Sequence, residues 1–153
     1  MPRFPKPPGH HTIVPGFAVV GAEKVLTFIQ KAFGGEVVER YEGPGGSIMH
    51  CEVRIGDSVI MFGEANPAFG MDAMPASLAV YVDEGPDVDA TYERALKCGG
   101  EAVMAPADQF YGYRSATLKD MGGNKWTLCA VVEQVAPQEI QRRMAEMMKG
   151  CGG

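Results

Sequence analysis

Apolar and polar positions along the chain fall into two successive sets with the same order. The first opens on a short apolar run, Phe17-Ala18-Val19-Val20. From Ala22 to Phe33, the residues Val25, Leu26, Phe28, Ile29 and Phe33 recur near helical spacing, which predicts an amphipathic helix. Gly34-Gly35 stops that helix, and Glu36-Val37-Val38 starts a strand. Ile48 to Ile55 reads as a further strand, Gly56-Asp57 turns the chain, and Ser58 to Phe62 returns. The predicted order is β-α-β-β-β.

The second set repeats it. Leu78-Ala79-Val80-Tyr81-Val82 is the strand, and Val88 to Leu96 is the helix, with Val88, Tyr92, Ala95 and Leu96 on one side. Cys98-Gly99-Gly100-Glu101-Ala102-Val103 mirrors Phe33-Gly34-Gly35-Glu36-Val37-Val38. Ser115–Leu118 and Lys125–Val131 then flank a turn at Gly122-Gly123-Asn124. Each copy is too small to bury its own sheet face, so the two should pair. From Pro137 a C-terminal helix carries Ile140, Met144, Met147 and Met148 on one stripe. Two readings of that stripe stand side by side: packing against the domain's own sheet, or contact with a second copy, for which adaptable methionines are suited.

Composition narrows the function. The formal net charge is −5 over 153 residues, so no basic surplus exists to bind nucleic acid through its phosphates. No apolar run is long enough to span a membrane. The Pro-rich start, Met1 to Gly9, lacks the apolar core of a secretory leader, so the expected location is the cytoplasm. The four cysteines show no C-x-x-C spacing, so neither a cysteine zinc site nor a disulfide framework is expected.

Several residues are candidates for chemistry. His10 and His11 are adjacent, and in an extended segment they point to opposite sides, which reads as a surface pair. His50 shares its strand parity with Glu52 and Arg54. That stripe is either the solvent side of a sheet or the wall of a polar pocket, where His50 would hydrogen-bond a ligand or shuttle a proton. The solvent side is the default, since the opposite parity is apolar. Gln109-Phe110-Tyr111-Gly112-Tyr113-Arg114 puts three aromatics and an arginine into six residues. Tyr111, Tyr113 and Arg114 offer stacking faces and oriented donors for a planar or anionic ligand, or else form an aromatic corner closing the sheet. Trp126 alternates with Leu128, as a core residue or a ligand-stacking one.

The duplicated unit, the phrase His50-Cys51-Glu52-Val53-Arg54-Ile55-Gly56-Asp57-Ser58, and the run Arg114 to Trp126 containing Asp120-Met121-Gly122-Gly123-Asn124 together resemble the vicinal oxygen chelate superfamily. That group includes glyoxalases, extradiol dioxygenases and bleomycin resistance proteins, and the phrases are similar to its PhnB-like branch. The resemblance implies an α+β fold: two βαβββ modules forming curled mixed sheets around a cleft, plus a C-terminal helix, usually in a homodimer. The expected organisation is a flexible arm over 1–11, a first module over 12–74, a second over 75–135, and a helix with a Gly-rich tail over 136–153.

In the metal-dependent members, the resemblance implies ligands on the first and last strand of each module. Those positions fall near Pro15, Met61, Ser77 and Thr127, none a strong ligand for a hard or borderline cation. A slip of register would add only Glu64. No metal or other cofactor is therefore expected, and Met61, Ser77 and Thr127 become candidate ligand-binding residues instead. The reading reached is a metal-free protein that sequesters a planar or cationic small molecule in a dimer cleft. The alternative is a glyoxalase- or dioxygenase-type enzyme using a divalent metal, or acid–base chemistry by His50 or Glu64.

Overall fold

The computed structural model describes residues 5–152. The first module runs β1 (Gly16–Val19), α1 (Ala22–Phe33), β2 (Glu36–Glu42), β3 (Ile48–Ile55) and β4 (Ser58–Glu64). The second runs β5 (Ser77–Tyr81), α2 (Gly85–Lys97), β6 (Glu101–Asp108), β7 (Tyr113–Lys119) and β8 (Lys125–Val131). A last helix, α3, spans Pro137–Gly150. The sheets have matching orders, β1-β4-β3-β2 and β5-β8-β7-β6. In each, the strand before the helix pairs parallel with the last strand, and the other pairings are antiparallel. The architecture is the two-module α+β arrangement expected from the repeat.

Alternation along the strands assigns the faces. In the first module Phe17, Val19, Cys51, Val53, Ile60 and Phe62 turn towards α1 and are buried. In the second, Ala116, Leu118, Trp126, Leu128 and Ala130 do the same beneath α2. These residues join Val25, Phe28 and Ile29 of α1 and Val88 and Ala95 of α2 in one continuous core. The two units thus pool their apolar faces, which satisfies the burial requirement that neither meets alone. Phe33 packs on Trp126 with ring centroids 4.8 Å apart, and Arg94 of α2 donates to the Ala32 carbonyl at 2.9 Å.

The turn phrase of the second module is structural. Asp120, buried, accepts from the backbone N–H groups of Gly122 and Asn124, from the Asn124 side-chain amide at 2.9 Å, and from the Trp126 indole at 2.8 Å. The fully buried Asn124 in turn accepts from the Ala76 N–H at 2.8 Å, tying the turn to the start of β5. The four cysteines are free, and burial pushes the Cys51 and Cys129 thiols up.

One expectation is corrected. No residue of α3 is buried, so its methionine stripe does not pack on the chain's own sheet. The helix is held instead by Arg143, which bonds the Phe110 carbonyl at 2.8 Å and Glu133 at 3.1 Å. Two residues of the N-terminal lead meet the first sheet. His10 reaches across to Glu52 on β3, and Gly9 lies beside the Arg54 guanidinium.

Candidate functional site

A groove of about 610 Å³ lies where the two modules meet. One wall is the end of β3, the Gly56-Asp57 turn and the start of β4; the other is β5 with the adjoining face of α2. Phe33 and Tyr81 supply aromatic surface, and Asp57, Asp83 and Asp87 supply carboxylates, the last also accepting from the Glu84 N–H at 3.0 Å. The one basic lining residue, Arg94, is engaged by the Ala32 carbonyl and by the Thr91 hydroxyl at 3.3 Å. A volume in this range suits a small-molecule ligand. Its walls leave an excess of negative charge beside flat apolar surfaces.

The sequence candidates distribute unevenly around this groove. Trp126 borders it, but only 1% of the residue is exposed and its indole N–H is committed to Asp120, so it is chiefly core. Tyr81, projecting from β5, meets Tyr113 edge-on with centroids 6.0 Å apart, and Tyr113 meets Tyr111 at 5.2 Å. The aromatic run is therefore a continuous row ending at the groove. Met61, Ser77 and Thr127 lie on the sheet faces turned away from the helices, with the Thr127 and Thr117 hydroxyls 3.2 Å apart. Ser115 is buried, and its hydroxyl has no hydrogen-bond partner among the described residues.

Arg114 and Glu64 are committed elsewhere. Arg114 clamps Asp89 of α2 through two bonds of 2.7 and 2.8 Å and reaches Asp108 of β6 at 3.0 Å. That bond holds the Asp89 carboxyl below the usual carboxylate range. Glu64 accepts from the backbone N–H groups of Gly21 and Ala22 at 2.9 and 2.7 Å, capping α1 at the positive end of its dipole. Glu64→Ala should cost about 1 kcal/mol of stability. Chemical denaturation would check this, with a midpoint shift and an unchanged slope as the expected result.

A second constellation occupies the open face of the first sheet. Cys51 and Val53 face the core, so His50 and Glu52 of β3 face away from it. Glu39 is the cross-strand partner of Glu52, placed there by a register shift between Val37 and Glu39. His50 Nε2 lies 3.4 Å from Glu52 Oε1, and His10 Nε2 lies 3.1 Å from Glu52 Oε2. The default assignment of this stripe to open solvent does not hold. The arm covers it, and the Glu52 side chain is only 11% exposed. The Glu52 bond raises the His10 pKa above the ordinary histidine value. Alternation revealed the shared parity of His50 and Glu52, but not the segment that crosses over them.

A duplicated βαβββ unit with a groove at the junction defines a class of small two-module proteins. The sequence profile of the Glyoxalase/Bleomycin resistance protein/Dioxygenase superfamily matches residues 9–128, and the chain belongs to that superfamily. An uncharacterized protein of Mycobacterium bovis is 32% identical over 143 residues, covering 89% of this chain and 93% of that one. Among solved structures, TioX from Micromonospora sp. superimposes with a TM-score of 0.65 at 19% identity, covering 79% of this chain and 98% of that chain. The putative 3-demethylubiquinone-9 3-methyltransferase, PhnB protein, of Bacillus cereus gives 0.60 at 22% identity, covering 78% and 99% respectively. At these identities the structures establish the shared fold.

Proposed function

We propose that this chain is a small-molecule binding protein that holds a planar, cationic compound in the groove between its modules. The observation that carries the reading is the groove's wall, which pairs the rings of Phe33 and Tyr81 with the exposed carboxylates of Asp57 and Asp83. A flat cation gains twice there. Its π-system stacks on the rings, and its charge is attracted both by the ring faces and by the carboxylates. The net charge of −5 adds a long-range attraction for the same ligands. The strand positions where the superfamily's metal enzymes carry ligands support the reading too: Met61, Ser77 and Thr127 offer no imidazole or carboxylate. The finer assignment is to the PhnB-like, bleomycin-resistance-like part of the superfamily, in the cytoplasm.

We propose further that a second copy of the chain covers apolar side chains left exposed. Met144, Met147 and Met148 of α3 are exposed, as are Tyr41, Tyr81 and Val131 on the sheets. The methionines share one stripe of α3, and adaptable side chains of this kind suit a contact between copies. Light scattering coupled to size exclusion should give a homodimer mass.

A thermal-shift screen of planar aromatic cations tests the function, against neutral and anionic analogues of the same rings. A ligand at 100 times its Kd stabilises the folded state by about 2.7 kcal/mol, so binders should raise the melting temperature visibly. A screen in which the cations shift nothing, or in which anions do better, contradicts the proposal. The enzyme alternative draws on one observation, the grouping of His50 with Glu39 and Glu52, since both oxygens of Glu64 are committed to the α1 cap.

A further inference from the structure

We infer that the open face of the first sheet carries a divalent-cation site built from His10, Glu39, His50 and Glu52. This site is separate from the strand positions used by the superfamily's metal enzymes, and separate from the groove. One ligand atom each from Glu39, His50 and Glu52 lies within 4.8 Å of the others, and His10 closes on the second oxygen of Glu52.

Three features distinguish this group from an ordinary polar surface. The first is its donor set. Two imidazole nitrogens and two carboxylates form an N/O set suited to Zn²⁺, Co²⁺, Mn²⁺ or Fe²⁺ rather than to Ca²⁺. The second is a charge conflict. Glu39 and Glu52 are directly opposed across antiparallel strands, where like charges destabilise the pairing. Arg54, on the same face, makes no ion pair with either within 4.0 Å among the described residues. A bound dication would reverse that repulsion. The third is construction. The register shift after Val37 turns Glu39 onto the face of His50 and Glu52, and a turn closed by the His10 N–H to Pro7 carbonyl bond at 3.1 Å carries His10 over them. Bulges of this kind re-aim side chains at sites.

His50 Nε2 and Glu52 Oε1 already stand 3.4 Å apart, the ~3.4 Å separation of a tetrahedral site with bonds near 2.1 Å, and the remaining pairs within 4.8 Å would close by at most about 1.4 Å. The side chains have that freedom, since His50 is 39% exposed and His10 sits on a non-strand lead. The ion would pin the N-terminal lead to the sheet.

The test uses the full chain and the metals alone. After chelation and dialysis, the protein is titrated with Co²⁺ and Zn²⁺, following cobalt absorption in the visible and bound metal by elemental analysis. One equivalent per chain is expected, with imidazole-bearing cobalt bands. Glu52→Gln and His50→Ala should each weaken binding at least tenfold. His50→Ala is the fold-safe arm, because its side chain leaves no cavity. His10→Ala should weaken binding and also speed proteolysis of the lead in the presence of metal. Wild-type protein that binds no ion overturns the inference, as does binding that survives in Glu39→Ala/His50→Ala. Groove ligands are absent throughout, so failure here leaves the groove assignment standing, and failure of the groove leaves this one.

Discussion

Replacing Asp120 by alanine should lower stability by about 3 kcal/mol or more, the largest single-site loss expected in this chain. The carboxylate satisfies four donors, two of them side-chain groups sealed in the core: the Trp126 indole N–H and the Asn124 amide. Each buried donor left unpaired costs about 1–3 kcal/mol. The damage would spread, because Asn124 positions the Ala76 N–H and hence the start of β5. For a protein of this size the loss corresponds to a fall of roughly 10 °C in melting temperature. Asp120→Asn separates shape from chemistry. It fills the same space but turns an amide donor towards groups that are themselves donors, so it should recover little. Differential scanning calorimetry on both variants is the check. A fall under 2 °C in Asp120→Ala would show that the network is not what holds the turn.

The second large effect concerns ligand binding. Asp57→Asn/Asp83→Asn should weaken a planar aromatic cation about tenfold, and adding Tyr81→Ala should bring the loss to roughly a hundredfold. An exposed charge contributes up to ~1 kcal/mol to a pairing, and a tenfold change in affinity is about 1.4 kcal/mol. The stacking ring contributes a further ~1–2 kcal/mol when it is partly desolvated by the ligand. Asp57 and Asp83 are exposed, and neither caps a helix, so the fold should be untouched. Isothermal titration at two salt concentrations discriminates further. The wild-type affinity should fall with added salt, and the double variant's should respond less. Equal affinities in the two proteins would remove the carboxylates from the account.

The periodicity carried most of the fold. The limits of α1, β3 and β8, and the start of α3 at Pro137, were readable from spacing and stop signals alone. What alternation cannot show is which segment crosses a face. His50 and Glu52 share a parity, yet the burial of Glu52 depends on a lead more than forty residues earlier in the chain. Glu64 illustrates a second limit. It reads as a spare carboxylate at the end of a strand, but the parallel pairing of β1 with β4 sets it beside the first turn of α1. Arg114 illustrates a third. An arginine among tyrosines suggests a ligand clamp, whereas the partners that neutralise it, Asp89 and Asp108, come from neighbouring elements with no local signature. The Asp120–Trp126 phrase was legible as a motif, though its role as a turn lock, with four donors converging on one carboxylate, needed the geometry.

Trp126 offers the most direct test, because it is the chain's one tryptophan and it borders the groove. Titrating the protein with planar aromatic cations while recording tryptophan emission should give a saturable change at one site per groove, abolished or displaced to much higher concentration in Asp57→Asn/Asp83→Asn/Tyr81→Ala. Emission that stays flat across the series, or a curve identical in that variant, would mean the junction of the two modules is not where this protein takes its ligand.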